Sequence, residues 1–278
     1  MDMTYVKYLV YFLSGSLLIT AITLVAEKKS QKVAGILMCL PVISFLSLLF
    51  LGISQGTEFA SRAAVWNPIG AIADLFYIGF FAIGINILGY AVRIKNESSG
   101  SKKIIELLSG FLFGFTGYFI SILVFSGFTI NSGWISLLLL WGAAIIFHFI
   151  FKNLKEKRVD KPKLVNAGDL VFRGIFGGSA VAAVVILADS FGYIWGGLFS
   201  SFPATITPVL FLLHMRNGKD IIPGVIKSSP IGLSATGLYS CMVWLLYPAY
   251  GIIAGTIVSY MAVFAFLYII YAKKMRPF

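Results

Sequence analysis

One carboxylate stands well inside an apolar run, Asp74, and no other acid of the chain is placed that way. An ionisable side chain in hydrocarbon is costly and marks an ion, proton or substrate pathway by default. Asp74 therefore reads as a group that binds a cation or carries a coupling proton. The remaining acids lie at the ends of apolar runs or in the polar loops between them. Glu27 and Asp189 close two of them and are gating candidates, with helix-end solvation as the plainer explanation. Glu58 and Asp220 each follow a glycine turn, where an acid in the first helical turn is favoured. Ser16, Thr20 and Thr23 share one helix face. That stripe either lines a cavity or bonds backbone carbonyls across a helix contact. Cys39 and Cys241 have no CxxC neighbour, and His148 and His214 have no partner spacing. HExxH, GxSxG and P-loop motifs are absent. No metal, no cofactor and no enzyme chemistry is expected.

The elements that would position Asp74 occur twice. GILMCLP (Gly35 to Pro41) returns as GLFSSFP (Gly197 to Pro203), offset by 162 residues at both ends (197 − 35 and 203 − 41). The same register pairs Gly15 with Gly177, Glu27 with Asp189, Gly56 with Gly218, and Glu58 with Asp220. It also pairs Pro68-Ile69-Gly70 with Pro230-Ile231-Gly232, Asp74 with Thr236 and Tyr77 with Tyr239. Proline withholds an N–H and clashes with the turn before it, so both Gly-x5-Pro elements are expected to break a helix. Half-helix N-termini at such breaks favour an anionic group. Gly35, Pro41, Gly197, Pro203, Asp74, Thr236, Tyr77 and Tyr239 are the candidate substrate- or ion-binding residues.

Composition sets the solvent. Hydrophobic residues are 59% and charged residues 12% of 278, about half the charge of a soluble domain. The chain is expected to be an all-α integral membrane protein. Apolar runs fall at about residues 5–26, 33–53, 69–92, 104–125, 134–151, 170–188, 193–214, 230–247 and 251–271. Each is close to the ~20 residues that span a bilayer. Asn67-Pro68 is expected to divide a short interfacial or re-entrant piece from the third span. The net charge of +11 is assigned to cytoplasmic loops and not to nucleic-acid binding. Lys28, Lys29 and Lys32, Arg93 to Lys103, Lys152 to Lys163, Arg216 to Lys227, and the C-terminal Lys273, Lys274 and Arg276 follow the odd-numbered spans. Between the even-numbered spans and their successors only Arg62 is basic. That alternation places the N-terminus outside and the C-terminus in the cytoplasm. Equivalent turns of the two copies carry opposite charge bias. Two inverted-topology four-helix repeats (residues 1–130 and 165–278) are therefore expected, joined by a linker helix and basic loop (131–164), a 4+1+4 plan.

The stretches AGILMCLPVISFLSLLFLGISQG and GGLFSSFPATITPVLFLLHMRNG resemble the small GlpM-type inner-membrane proteins, four-span units of the broader drug/metabolite-transporter kind. The resemblance covers mainly spans one to three of each copy. It implies a multi-pass inner-membrane protein that moves a small solute. The drug/metabolite family has ten spans as five plus five, and small multidrug exporters carry a glutamate where Gly15, Ser16 and Thr20 stand here. The 4+1+4 plan is also similar to fused fluoride-channel proteins. Inverted repeats are the usual frame of alternating access, with substrate at broken helices near the midplane. The leading expectation is a secondary transporter of a small metabolite or ion. The alternatives are a passive ion channel and a non-transporting interaction protein. GxxxG-like faces at Gly110/Gly114/Gly117 and Gly251/Gly255 suggest a homodimer.

Overall fold

A computed structural model describes residues 3–27, 31–91, 99–154 and 166–274. Lys28, Lys29, Arg93, Lys95, the basic cluster from Lys155 to Lys163 and Arg276 lie outside the described residues, as does the side chain of Glu27. Helices α1 (Met3–Glu27), α2 (Gln31–Leu37), α3 (Val42–Gln55), α4 (Thr57–Ala91), α5 (Ser99–Ser126) and α6 (Gly133–Phe151) precede the 155–165 gap. After it come α7 (Ala167–Phe191), α8 (Tyr193–Phe199), α9 (Ile206–Asn217), a 3₁₀ turn (Lys219–Ile221), α10 (Ile222–Ile226) and α11 (Ser229–Lys274). There is no strand among the described residues. Among the described residues seven segments are long and apolar enough to cross a membrane, Val33–Gln55 and Ser229–Ile270 among them. Outward faces carry large apolar side chains such as Leu17, Leu112, Leu138 and Ile253, as lipid contact requires.

Glycine turns take the place of loops. Gly56, Gly192, Gly218 and Gly251 have φ between 78° and 94°, a region that costs glycine little and other residues much. Each reverses or redirects the chain within one residue. Gly251 also divides α11 into two helices. At Asn67-Pro68 the expectation fails: α4 runs unbroken from Thr57 to Ala91 with Pro68 inside it. Proline withholds one N–H, and every residue from 63 to 75 is buried, so the surrounding helices keep α4 helical through that point.

The close contacts of the fold come in exchanged pairs. A Cβ on Gly35 would lie 2.1 Å from the carbonyl oxygen of Val225, and one on Gly197 would lie 2.1 Å from that of Ala63. Likewise Gly70 would meet the carbonyl of Leu198 at 2.1 Å, and Gly232 that of Ile36 at 2.7 Å. In each pair the partners exchange under the 162-residue offset, the pattern of a two-fold contact. Helices α1 and α7 cross at Gly15 and Gly177. Tyr8 bonds Asp189 while Ser16 bonds the carbonyl of Gly174, so these two helices run antiparallel. The Ser16/Thr20/Thr23 stripe is thus a helix contact: Gly174 faces Ser16 and Thr20, and Thr23 bonds its own helix at Ile19.

The GxxxG-like face of α5 is occupied within the chain. Gly110, Gly114 and Gly117 receive Phe81, Tyr77 and Phe80 of α4, and Gly255 receives Tyr247. Gly35→Ala and Gly197→Ala should each lower stability by about 1–3 kcal/mol, because a methyl would press on rigid backbone. Gly142→Ala has open space around it and should be neutral or stabilising by up to about 1 kcal/mol. Thermal unfolding of the detergent-purified variants separates the two classes.

Candidate functional site

Two helices stop and restart inside the protein. Between α2 and α3 lie Met38 to Pro41, and between α8 and α9 lie Ser200 to Thr205. Their backbones follow one pattern. Val42 N–H reaches the carbonyl of Leu40 at 2.7 Å, as Ala204 N–H reaches that of Phe202 at 2.6 Å. Phe45 N–H meets the Pro41 carbonyl at 2.9 Å, as Thr207 N–H meets that of Pro203 at 3.0 Å. Hydroxyls from the opposite half cover carbonyls of the first break. Thr205 donates to Met38 O, and Thr236 donates to Cys39 O at 3.0 Å.

Asp74 meets the second break. Ser201 Oγ donates to its Oδ2 at 2.8 Å, and this contact is the 162-residue counterpart of Thr236 on Cys39. Oδ1 is buried and has no hydrogen-bond partner among the described residues. Between the breaks is a cavity of about 20 Å³, room for about one water molecule. Cys39, Ser44, Asp74, Ser201, Thr205 and Thr236 line it. None of the six is more than 5% exposed, while Leu40 and Phe202, which also line it, are partly buried.

Asn67 braces this centre, a role that its place before a proline does not reveal. Its amide nitrogen donates to Ser44 Oγ at 2.9 Å and Ser200 Oγ at 2.6 Å, and its carbonyl oxygen accepts from Ser240 Oγ. One side chain of α4 thus ties α3, the second break and α11 together. Tyr77 shares a 2.8 Å hydrogen bond with Thr207 and stacks among Phe81 and Phe115. Tyr239 packs against Tyr260.

Of the sequence candidates, Asp74, Pro203 and Thr236 meet at the cavity. Gly35 and Gly197 permit the close approaches of α2 and α8. Pro41 borders the site through a carbonyl that accepts from Tyr260 at 3.3 Å. Tyr77 and Tyr239 are fully buried and do not line it. Ser44, Ser201 and Thr205 complete the wall. The 162-residue register could have found Ser201, because it is the counterpart of Cys39 inside the repeated element.

The two ends of the bundle differ in charge. At one end Asp189 accepts from Tyr8 at 3.1 Å and from Gln55, joining α1, α3 and α7. At the other, Asp169 pairs with Arg216, and Glu106 lies 3.3 Å from His214 Nε2 and 3.8 Å from Lys219 Nζ. Lys103 also caps the carbonyl of Met215 at 2.9 Å. Asp169 and Asp189 both lie on α7, about 30 Å apart at helical rise.

No family model matches the sequence, and no curated protein or solved structure matches it significantly.

Replacing Asn67 by Leu would strand Ser44, Ser200 and Ser240 without their amide. A loss of about 2–4 kcal/mol is expected, since unsatisfied buried polar groups cost about 1–3 kcal/mol each and part is recovered by local bonds. Ser44→Ala removes one contact and should cost about 1 kcal/mol. Melting temperatures of the two purified variants give the comparison.

Proposed function

We propose that the chain is a secondary transporter of a small solute, working by alternating access of two inverted-topology four-helix repeats about a linker helix, α6. The observation that carries this reading is the small polar cavity between two broken helices, with Asp74 and its counterpart Thr236 on its walls. The antiparallel crossing of α1 and α7 and the exchanged glycine contacts support the inverted repeat. Such a frame has two arrangements of similar energy, each open to one side. A solute at the centre is then exposed to each side in turn.

Asp189 with Tyr8 and Gln55 closes one end on this reading, and Asp169 with Arg216 closes the other. Lys103, Arg216 and Lys219 gather at the Asp169 end, which favours the cytoplasmic side for that end. The N-terminus of α1 is then outside and the end of α11 inside.

Cys39 lines the cavity and serves as a reporter once Cys241 is replaced by Ser. In sealed vesicles of known orientation, alternating access predicts alkylation of Cys39 by impermeant maleimides from either side. Conditions that raise one rate should lower the other. A channel would raise both rates together, and a scaffold would leave Cys39 unlabelled. Either result would overturn the proposal.

The two end contacts predict opposite biases. Asp189→Asn should raise labelling from the outer side by about threefold, and Asp169→Asn should raise it from the inner side by a similar factor. Partly exposed pairs of this kind contribute about 0.2–1 kcal/mol. A shift of both variants toward the same side would count against the assignment of the two ends.

A further inference from the structure

We propose that the cavity binds one bare alkali-metal cation, with Asp74 supplying the neutralising charge and the surrounding hydroxyl oxygens its coordination. Its role as the coupling or transported ion rests on the transporter reading above; binding itself does not.

The hydroxyl hydrogens decide the sign of the ligand. Ser201 spends its hydrogen on Asp74 Oδ2, Thr236 on the carbonyl of Cys39 and Thr205 on the carbonyl of Met38. A hydroxyl has one hydrogen and two lone pairs, so each of these oxygens keeps acceptor capacity after its hydrogen is committed. Asp74 Oδ1 is buried with no hydrogen-bond partner among the described residues, and Asp74 is on the wall of the same space. The cavity therefore offers oxygen acceptors around one carboxylate, three of its four hydroxyl hydrogens are committed elsewhere, and the fourth, on Ser44, whose oxygen accepts from Asn67, can turn to the carboxylate or away from the cavity. An anion would find repulsion there. A cation finds hard oxygen ligands, the set that suits alkali and alkaline-earth ions.

Size and charge narrow the class. A cavity of about 20 Å³ holds one water-sized body and excludes organic cations. Asp74 is the one acid on its wall, so a divalent ion would leave an uncompensated charge at membrane depth, where charge is costly. Magnesium also retains several waters, and there is no room for them. A proton would neutralise Asp74 but would engage few of the oxygens gathered around it. The repeat partner of Asp74 is the neutral Thr236, so the pseudo-symmetric centre holds one charge and takes one ion.

The test is thermal unfolding of the purified full chain in NaCl, LiCl or KCl. Each is titrated against choline chloride at fixed ionic strength and pH. A ligand of the native state raises the midpoint in a saturable manner. At least one alkali cation should do so while choline does not. Thr236→Val and Thr205→Val should weaken the apparent affinity tenfold or more, and Asp74→Asn should abolish the response. If Asp74→Asn does not fold, the affinities of the two threonine variants carry the test. A midpoint indifferent to all three cations overturns the proposal, as does one that follows pH alone. Cys39 alkylation separates the two ideas. Alternating labelling that ignores the alkali ion leaves the transporter and removes the cation site. Saturable cation stabilisation with no alternating labelling keeps the site and removes the transporter.

Discussion

A helix interrupted inside a bilayer exposes backbone donors and acceptors where no water can meet them. The remainder of this fold answers that constraint. Carbonyls of the first break are met by Thr205 and Thr236 from the second half of the chain. Asn67 reaches the second break through Ser200, and Ser200 in turn bonds the carbonyl of Gly197 at 2.6 Å. These bonds require α2 and α8 to lie against helices of the opposite half at backbone distance, which is why glycine stands at 35, 70, 197 and 232. In lipid, burial of apolar side chains adds little net drive between helices. Close packing and polar closure of the breaks therefore carry much of the specificity.

The centre is symmetric in its backbone and asymmetric in its chemistry. Asp74 with Ser201 occupies the place that Thr236 with the Cys39 carbonyl occupies on the other side. Of these two corresponding places, only one carries a charge. The two ends of the bundle also differ, since Asp189 meets neutral partners while Asp169 meets Arg216. At the centre the equivalent positions Asp74 and Thr236 differ in charge, while glycine stands at both members of the pairs 35/197 and 70/232, where it admits a backbone.

Much of this was legible in the residues. The two Gly-x5-Pro elements mark the breaks because glycine and proline act on their own backbone, with no knowledge of neighbours. Asp74 stood out because a carboxylate in an apolar run has few structural uses. The 162-residue register led from Asp74 to Thr236 without a structure. Asn67-Pro68 misled for the complementary reason. Proline read alone signals a break, but burial on all sides of residues 63 to 75 carries α4 through it. The role of Asn67 depends on three serines from three other segments, which no local pattern contains. The small-residue face of α5 was recognisable as a contact surface, but which helix it meets is a tertiary matter, and it meets α4.

Asp74 is also the midpoint of α4, seventeen residues from Thr57 (74 − 57) and seventeen from Ala91 (91 − 74). At helical rise each arm is about 25 Å long. An unbroken helix of this length behaves as a stiff beam, and here the beam is pinned near its centre by Asn67 and Asp74. A tilt of about 10° around that pin would carry both tips by about 4 Å in opposite senses at that arm length. The geometry is that of an equal-armed balance, with its fulcrum at the carboxylate that lines the central cavity.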